Sequence, residues 1–547
     1  MTGYDLLEQW SHPRSFLSFC YACLLFSTFY FLGTLLAKSI LGPKINSIHR
    51  AAGFAYLLWA VGFTFFYLGA IGGLSNFVWY LTLVATVCFG IVGIFEFFRS
   101  VRKPSLSEIN VSDRVAYFLI FGTTFTAIAL ALLPTTKMDE ISYHMLIPLR
   151  LLNDNSLLQY PLPWEASILP QLIYQCIFTP FFFIALPEVA NVFSLFLFIY
   201  AGFVSVKIAE TALNHKIPKI VLFLVFYSGL YLVIGGITIG TASTGVLGSV
   251  IFFGSFFLLK AKNFNDTEYV VSVPFCLGGG SLVLAISKVT LLPLLFVASI
   301  IYSWLLMRGS DSLQKINVLL WAIVLPGFLY GIVLLLTYSV YGSPFGSMFG
   351  ELFGSEIVIH DPFATPTGHH PSLWNILILA ITKFNLTIWI ACAAGFLFFV
   401  KGKDAYIFAF FLMQLFVIYV ALPEKPRHFQ GIQYVLAFLT ICTIYVNYQR
   451  LRTILLFVSW LSSLMYVGLI LYYTSPMIIK GYVGGKEKFL DAYIPYYQDL
   501  KLLDKSLTED SYLTTSGTRV NLYHLPRPEL RPKDINSECV YEFMVGD

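Results

Sequence analysis

Apolar runs of about 20 residues recur from residue 15 to residue 473, separated by short polar breaks, and they limit what this chain can fold into more than any other feature. In hydrocarbon every backbone N–H and C=O must be paired within its own segment, so runs of this length are read as membrane-spanning helices. Spans fall near 15–37, 51–72, 77–98, 115–134, 189–206, 220–235, 241–259, 269–286, 289–307, 318–338, 374–399, 405–422, 431–447 and 453–473, about fourteen in all. Of the 547 residues, 57% are hydrophobic and 12% charged, about half the roughly 25% charge of a soluble domain. Mean hydropathy is +0.76. The fold class expected is therefore an all-α polytopic membrane protein.

Charge sorts the loops into two sets. One set is basic: Lys38, Lys44 and Arg50; Arg99, Arg102, Lys103 and Arg114; Lys207, Lys216 and Lys219; Lys260 and Lys262; Arg308 and Lys315; Lys401 and Lys403; Arg450 and Arg452. Every second loop belongs to it, and the positive-inside rule makes it cytoplasmic. The alternate loops, 73–76, 135–188, 236–240, 287–288, 339–373 and 423–430, are then exoplasmic, as is the tail 474–547. The alternation requires 168–186 not to span. With Pro170, Gln171, Gln175 and Pro180, it reads as a helix on or dipping into the membrane surface. Three parts follow: three N-terminal spans (1–114), a main transmembrane module (115–473) with long exoplasmic loops at 135–188 and 339–373, and a short exoplasmic tail. The loops and tail are rich in Pro, Gly, Tyr and His, and are expected to be ordered and to stack as a cap.

Several classes drop out. No basic tract suits nucleic acid. The eight cysteines lie mostly within apolar runs, and Cys20-x-x-Cys23, inside the first span, reads as helix packing. Residues 1–13 carry Asp5 and Glu8 and no basic n-region, so the first run is read as a retained span.

The chemistry-bearing residues gather in the exoplasmic set. Thr135-Thr136-Lys137-Met138-Asp139-Glu140, then Tyr143-His144, directly follows an apolar span. Two carboxylates at the mouth of a membrane helix are costly to place, so they are functional candidates. A carboxylate held near apolar surface gains basicity and serves as a general base; an N-cap of the next helix is the structural alternative. Ile141 to Leu152 has the spacing of an amphipathic surface helix. Lys288, between two spans, either snorkels to the interface or holds a phosphate. Lys425, Arg427 and His428 make one exoplasmic turn basic, which suits an anion or pairing with a carboxylate such as Glu424. Glu351, Glu356, His360, Asp361, His369 and His370 match no standard metal spacing. Carboxylates and cations converging on one membrane face suit transfer from a lipid-linked phosphate donor: cations stabilise the leaving phosphate while the carboxylate takes the acceptor's proton.

The stretch Asp139-Glu140-x-x-Tyr143-His144, Pro148, Tyr160-Pro161-Leu162-Pro163 and Leu169-Pro170 resembles the first exoplasmic loop of GT-C glycosyltransferases. The branch it resembles holds the bacterial polyprenyl-phosphate-sugar transferases related to protein O-mannosyltransferases and lipid A aminoarabinose transferases. Ser287-Lys288-Val289-Thr290, Tyr341-Gly342-Ser343-Pro344, Arg427-His428-Phe429 and the tail around Tyr493 to Tyr523 are similar to later stretches of that branch. The resemblance covers roughly 115–547 and implies a GT-C-like bundle. It implies Asp139 as catalytic base with Glu140 second, and a polyprenyl-phosphate sugar as donor. Lys288, Arg427 and His428 would hold the donor phosphate, and Lys137, Tyr143, His144 and Trp164 would line the substrate pocket. Some relatives use a divalent metal (Mg or Mn) and others none, so the cofactor stays open. The acceptor is a hydroxyl of a lipid, glycan or protein, and the implied location is the bacterial inner membrane with the site facing the periplasm. Two departures stand out: three spans precede the motif, and the tail is too short for a large acceptor-recognition domain. The rival readings are a transporter or lipid flippase, for which Gly235-Gly236 and Gly278-Gly279-Gly280 would break helices, and a non-catalytic subunit of a glycan-assembly complex.

Overall fold

In a computed structural model, the chain is described over residues 9–100, 111–136, 144–154, 173–222, 241–261, 269–287, 292–307, 312–341, 344, 430–447, 449–494, 497–498, 502, 512–516 and 540–544. Its helices follow the apolar runs. They are α1 (His12–Leu41), α2 (Ser47–Ala70), α3 (Asn76–Ser100), α4 (Val111–Ala131), α5 (Leu146–Asp154), α6 (Ile173–Cys176), α7 (Thr179–Phe183) and α8 (Glu188–Leu213). Then come α9 (Lys219–Leu222), α10 (Thr241–Ala261), α11 (Tyr269–Ser287), α12 (Leu292–Met307) and α13 (Ser312–Leu319). A π-helical turn (Leu320–Val324) joins α13 to α14 (Leu325–Tyr341). α15 (Gln430–Asn447), α16 (Gln449–Ile478), a second π-helical turn (Ile479–Val483) and α17 (Lys486–Tyr493) complete the series.

Among the described residues, seven helices are long and apolar enough to cross a membrane: His12–Leu41, Ser47–Ala70, Asn76–Arg99, Asp113–Ala131, Glu188–Leu213, Ser312–Ser339 and Gln449–Val483. Ser243–Ser255 and Val271–Ser287 are shorter apolar helices. The spans expected at 374–399 and 405–422, and that at 220–235 beyond α9, lie outside the described residues. The tail departs from an all-α reading. Strands β1 (Tyr512–Ser516) and β2 (Val540–Met544) pair in parallel, with Tyr512 opposite Val540. Both strands carry the β-branched and aromatic residues that favour extended chain.

Contacts at the helix termini define two ends. At one end Lys38 meets Glu96 (3.4 Å), Lys207 and Lys219 meet Glu210 (2.9 and 3.0 Å), the Lys219 amide donates to Asp113 (3.0 Å), and Arg452 donates to Tyr445 O (3.1 Å). These belong to the basic set. At the other end lie Trp10, Thr135, Glu188 and Tyr482, where Tyr482 donates to Ala129 O (2.9 Å). The ion pairs of Lys38, Lys207 and Lys219 fall at the basic end. The opposite end, called the motif end below, carries the segment that flanks the acidic pair.

Helix α8 is central: 78% of its apolar window is buried, against 18% for the peripheral α16. Packing around it depends on close backbone approach. A Cβ on Gly53 would collide with Gly33 O, and one on Gly280 would lie 2.7 Å from Phe252 N and 3.0 Å from Gly248 O. Lipid offers no hydrophobic drive for helix association, so small residues that let backbones approach supply van der Waals contact instead. Under the rival transporter reading, Gly278, Gly279 and Gly280 would break a helix. They sit inside the continuous α11, and a Cβ on Gly278 would strike Trp321 O and Tyr56 Oη. They are packing positions.

Candidate functional site at the motif end

Of the site residues read from the sequence, Lys137, Asp139, Glu140, Tyr143, Trp164, Lys288, Arg427 and His428 lie outside the described residues, as does the acidic and histidine-rich segment 351–370. His144 is described, and so is Thr135, so both flanks of the acidic motif can be followed.

The flanks are held by buried polar bonds. Thr135 Oγ1 accepts a hydrogen bond from Asn191 Nδ2 (2.9 Å). His144 Nδ1 lies 2.6 Å from Gln175 Nε2, with both side chains buried. Gln175 belongs to α6, whose neighbouring Tyr174 Oη pairs with Ser194 Oγ at 2.7 Å. Burial pushes the Tyr174 phenol and the Cys176 thiol well above their usual ranges, which keeps both protonated.

The polar side chains that carry this frame come from one stripe. Glu188, Asn191 and Ser194 recur at three-residue steps on α8 and so share a face. Each reaches a different neighbour: Glu188 accepts from Ser18 Oγ of α1 (3.2 Å), Asn191 holds Thr135, and Ser194 holds Tyr174. Both flanks of the segment 136–143 are thereby referred to the first two turns of a single helix. Sequence reading missed this stripe; its signal was the three-residue recurrence of polar residues at the start of an apolar span.

Glu188 is only 4% exposed, and a carboxylate taken out of water needs hydrogen bonds or a cation. It has the Ser18 hydroxyl and the Arg14 charge nearby. Beside it Trp10, His12 and Tyr482 form an aromatic cluster, with centroid separations of 5.5 to 6.1 Å. The Asn191 Oδ1 atom is buried with no hydrogen-bond partner, leaving an acceptor beside Thr135.

The segment expected to lie on the surface is built differently in detail. Residues 173–183 form two helices of four and five residues, α6 and α7, with Ile173, Tyr174, Gln175, Cys176, Phe181 and Phe182 buried against the spans. Helix α5 likewise buries Ile147, Leu149 and Leu151, packing into protein. The loop after α4 thus supplies a layer of short helices at the motif end. Among the described residues no group of three His, Cys, Asp or Glu side chains is placed to hold a metal.

The chain matches no protein-family description, no curated protein and no solved structure.

Proposed function

We propose that this protein is an integral membrane glycosyltransferase, moving a sugar from a polyprenyl-phosphate carrier to a hydroxyl of a lipid, glycan or protein. In this reading Asp139 removes the proton from the acceptor hydroxyl, with Glu140 supporting it or binding a divalent metal. The acceptor oxygen bonds to the anomeric carbon while the carbon–oxygen bond to phosphate breaks, so the configuration inverts. The electron pair leaves on the polyprenyl phosphate, whose charge Lys288, Arg427 and His428 balance. Lys137, Tyr143, His144 and Trp164 line the sugar or acceptor pocket. The motif end faces the periplasm of a bacterial inner membrane, and the basic end faces the cytoplasm.

The observation that supports this reading most is the bonding of both residues that flank the acidic motif. A base must be held to within a fraction of an ångström of its proton donor. Thr135 and His144, on either side of Asp139 and Glu140, are both buried and bonded to one helical frame at the mouth of α4. The unbroken course of α11 through Gly278, Gly279 and Gly280 removes one sequence argument for a transporter.

The test is to supply purified protein in bilayers with labelled polyprenyl-phosphate sugars and a membrane extract of native acceptors. Label moving from carrier to acceptor supports the proposal. Label crossing the bilayer while still on its carrier would instead establish a flippase.

A further inference from the structure

We propose that the start of α1 is a clamp that positions the loop carrying the acidic motif, a role that rests on the glycosyltransferase reading above. The loop between α4 and α8 leaves the bundle at Leu132 and returns at Ala185. Both stems are gripped by side chains from residues 10–18. Leu132 O accepts from Trp10 Nε1 (3.0 Å), and the Ser15 hydroxyl, which donates within its own helix to Ser11 O (3.1 Å), also lies 3.3 Å from Leu132 O. Ala185 O accepts from Arg14 Nη1 (3.4 Å), and three residues on Glu188 accepts from Ser18 Oγ (3.2 Å). The stem contacts join residues between 117 and 171 apart in the chain, so the clamp exists only in the folded protein.

The second stem is also where the backbone is strained. Ala185 has φ +58°, in the left-handed region, and is not glycine. It closes α7 in a Schellman arrangement: Leu186 N–H donates to Phe181 O (2.8 Å) and Ala185 N–H to Phe182 O (3.0 Å). A left-handed alanine persists only where its surroundings over-determine it. The Arg14 bond to its carbonyl is one such constraint. Trp10 at the first stem packs on Tyr482, so the C-terminal π-helical turn braces the same clamp. The segment from Trp10 to Ser18 thus ties the two stems to one element.

The test uses the full chain in bilayers. Trp10→Phe with Ser15→Ala removes both polar groups at Leu132 O while keeping a ring and the helix. Amide exchange at 132–136 and 185–189 is expected to quicken about tenfold or more, with 47–50 and 445–452 unchanged. In sugar transfer, kcat is expected to fall about tenfold with the donor KM held, and Ser15→Thr to restore it in the Trp10→Phe background. Should the double variant fail to fold, Ser15→Ala with Ser18→Ala makes the same test on one hydroxyl at each stem. Stem exchange unchanged in a folded variant would overturn the clamp. Absence of transfer by wild-type protein would overturn the enzyme reading alone, and the exchange result would still decide the clamp.

Discussion

The bond between Thr135 and Asn191 yields a prediction whose size follows from counting partners. Thr135 Oγ1 has Asn191 Nδ2 as its partner, and Asn191 Oδ1 already has none. Thr135→Val keeps the shape but strands the whole Asn191 amide in a buried site. Leaving a buried polar group unmade costs roughly 1–3 kcal/mol, so a loss of about 2 kcal/mol is expected. Asn191→Leu strands one hydroxyl but also removes the unpaired Oδ1, so its cost is about 1 kcal/mol. The double variant replaces both partners with apolar groups and is expected to cost about 1 kcal/mol, less than Thr135→Val alone, which corresponds to a coupling of about 2 kcal/mol. Equilibrium unfolding of the four proteins in mixed micelles, followed by tryptophan fluorescence, measures the cycle. Singles that add to within about 0.3 kcal/mol would refute the reasoning, because independent sites add and bonded ones do not.

Three further outcomes follow from packing, backbone and orientation. Gly53→Ala, whose Cβ would collide with Gly33 O, is expected to destabilise by about 1–3 kcal/mol, whereas Gly331→Ala, with open space around it, is expected to be neutral or stabilising by up to about 1 kcal/mol; thermal unfolding of the pair separates packing from helix propensity. Ala185→Gly relieves a left-handed alanine and is expected to stabilise by about 1 kcal/mol, so a lower midpoint in the same assay would argue against strain at that stem. Cysteines at the exposed Lys488 and Ser39 are expected to label oppositely with an impermeant maleimide: Lys488→Cys in intact cells, Ser39→Cys only after permeabilisation. Reversal of that pattern would invert the orientation drawn from loop charge.

Much of the helical frame was legible in the chain because hydrocarbon leaves few solutions: an apolar run of sufficient length must be a helix. The runs at 15–37, 51–72 and 77–98 coincide with α1, α2 and α3; α1 and α3 extend a residue or more beyond both expected ends, while α2 starts four residues earlier and stops two residues short. The basic loop residues Lys38, Lys207 and Lys219 gather at one end, where local carboxylates pair with them. Glycine was harder to read, because the same residue breaks a helix or lets two helices touch, and only the neighbour decides. At Gly278 the neighbours are Tyr56 and Trp321, both distant in the chain. The same limit hid the anchors of the candidate site. Asn191 and Gln175 matter because Thr135 and His144 face them across tertiary contacts of 56 and 31 residues. Nothing in an apolar pattern announces such a partner. The parallel pairing of β1 with β2 was missed for a related reason: it joins two short segments of the tail that lie well apart in sequence.

The measurement that bears most directly on the central claim is sugar transfer by wild-type and Asp139→Asn protein, reconstituted side by side with labelled polyprenyl-phosphate sugars and native acceptors. The account predicts transfer by the wild type and a loss of at least about a hundredfold in the variant, with the thermal midpoint unchanged, because the amide cannot take the acceptor's proton. Equal transfer by both folded proteins would contradict the assignment of Asp139 as the base.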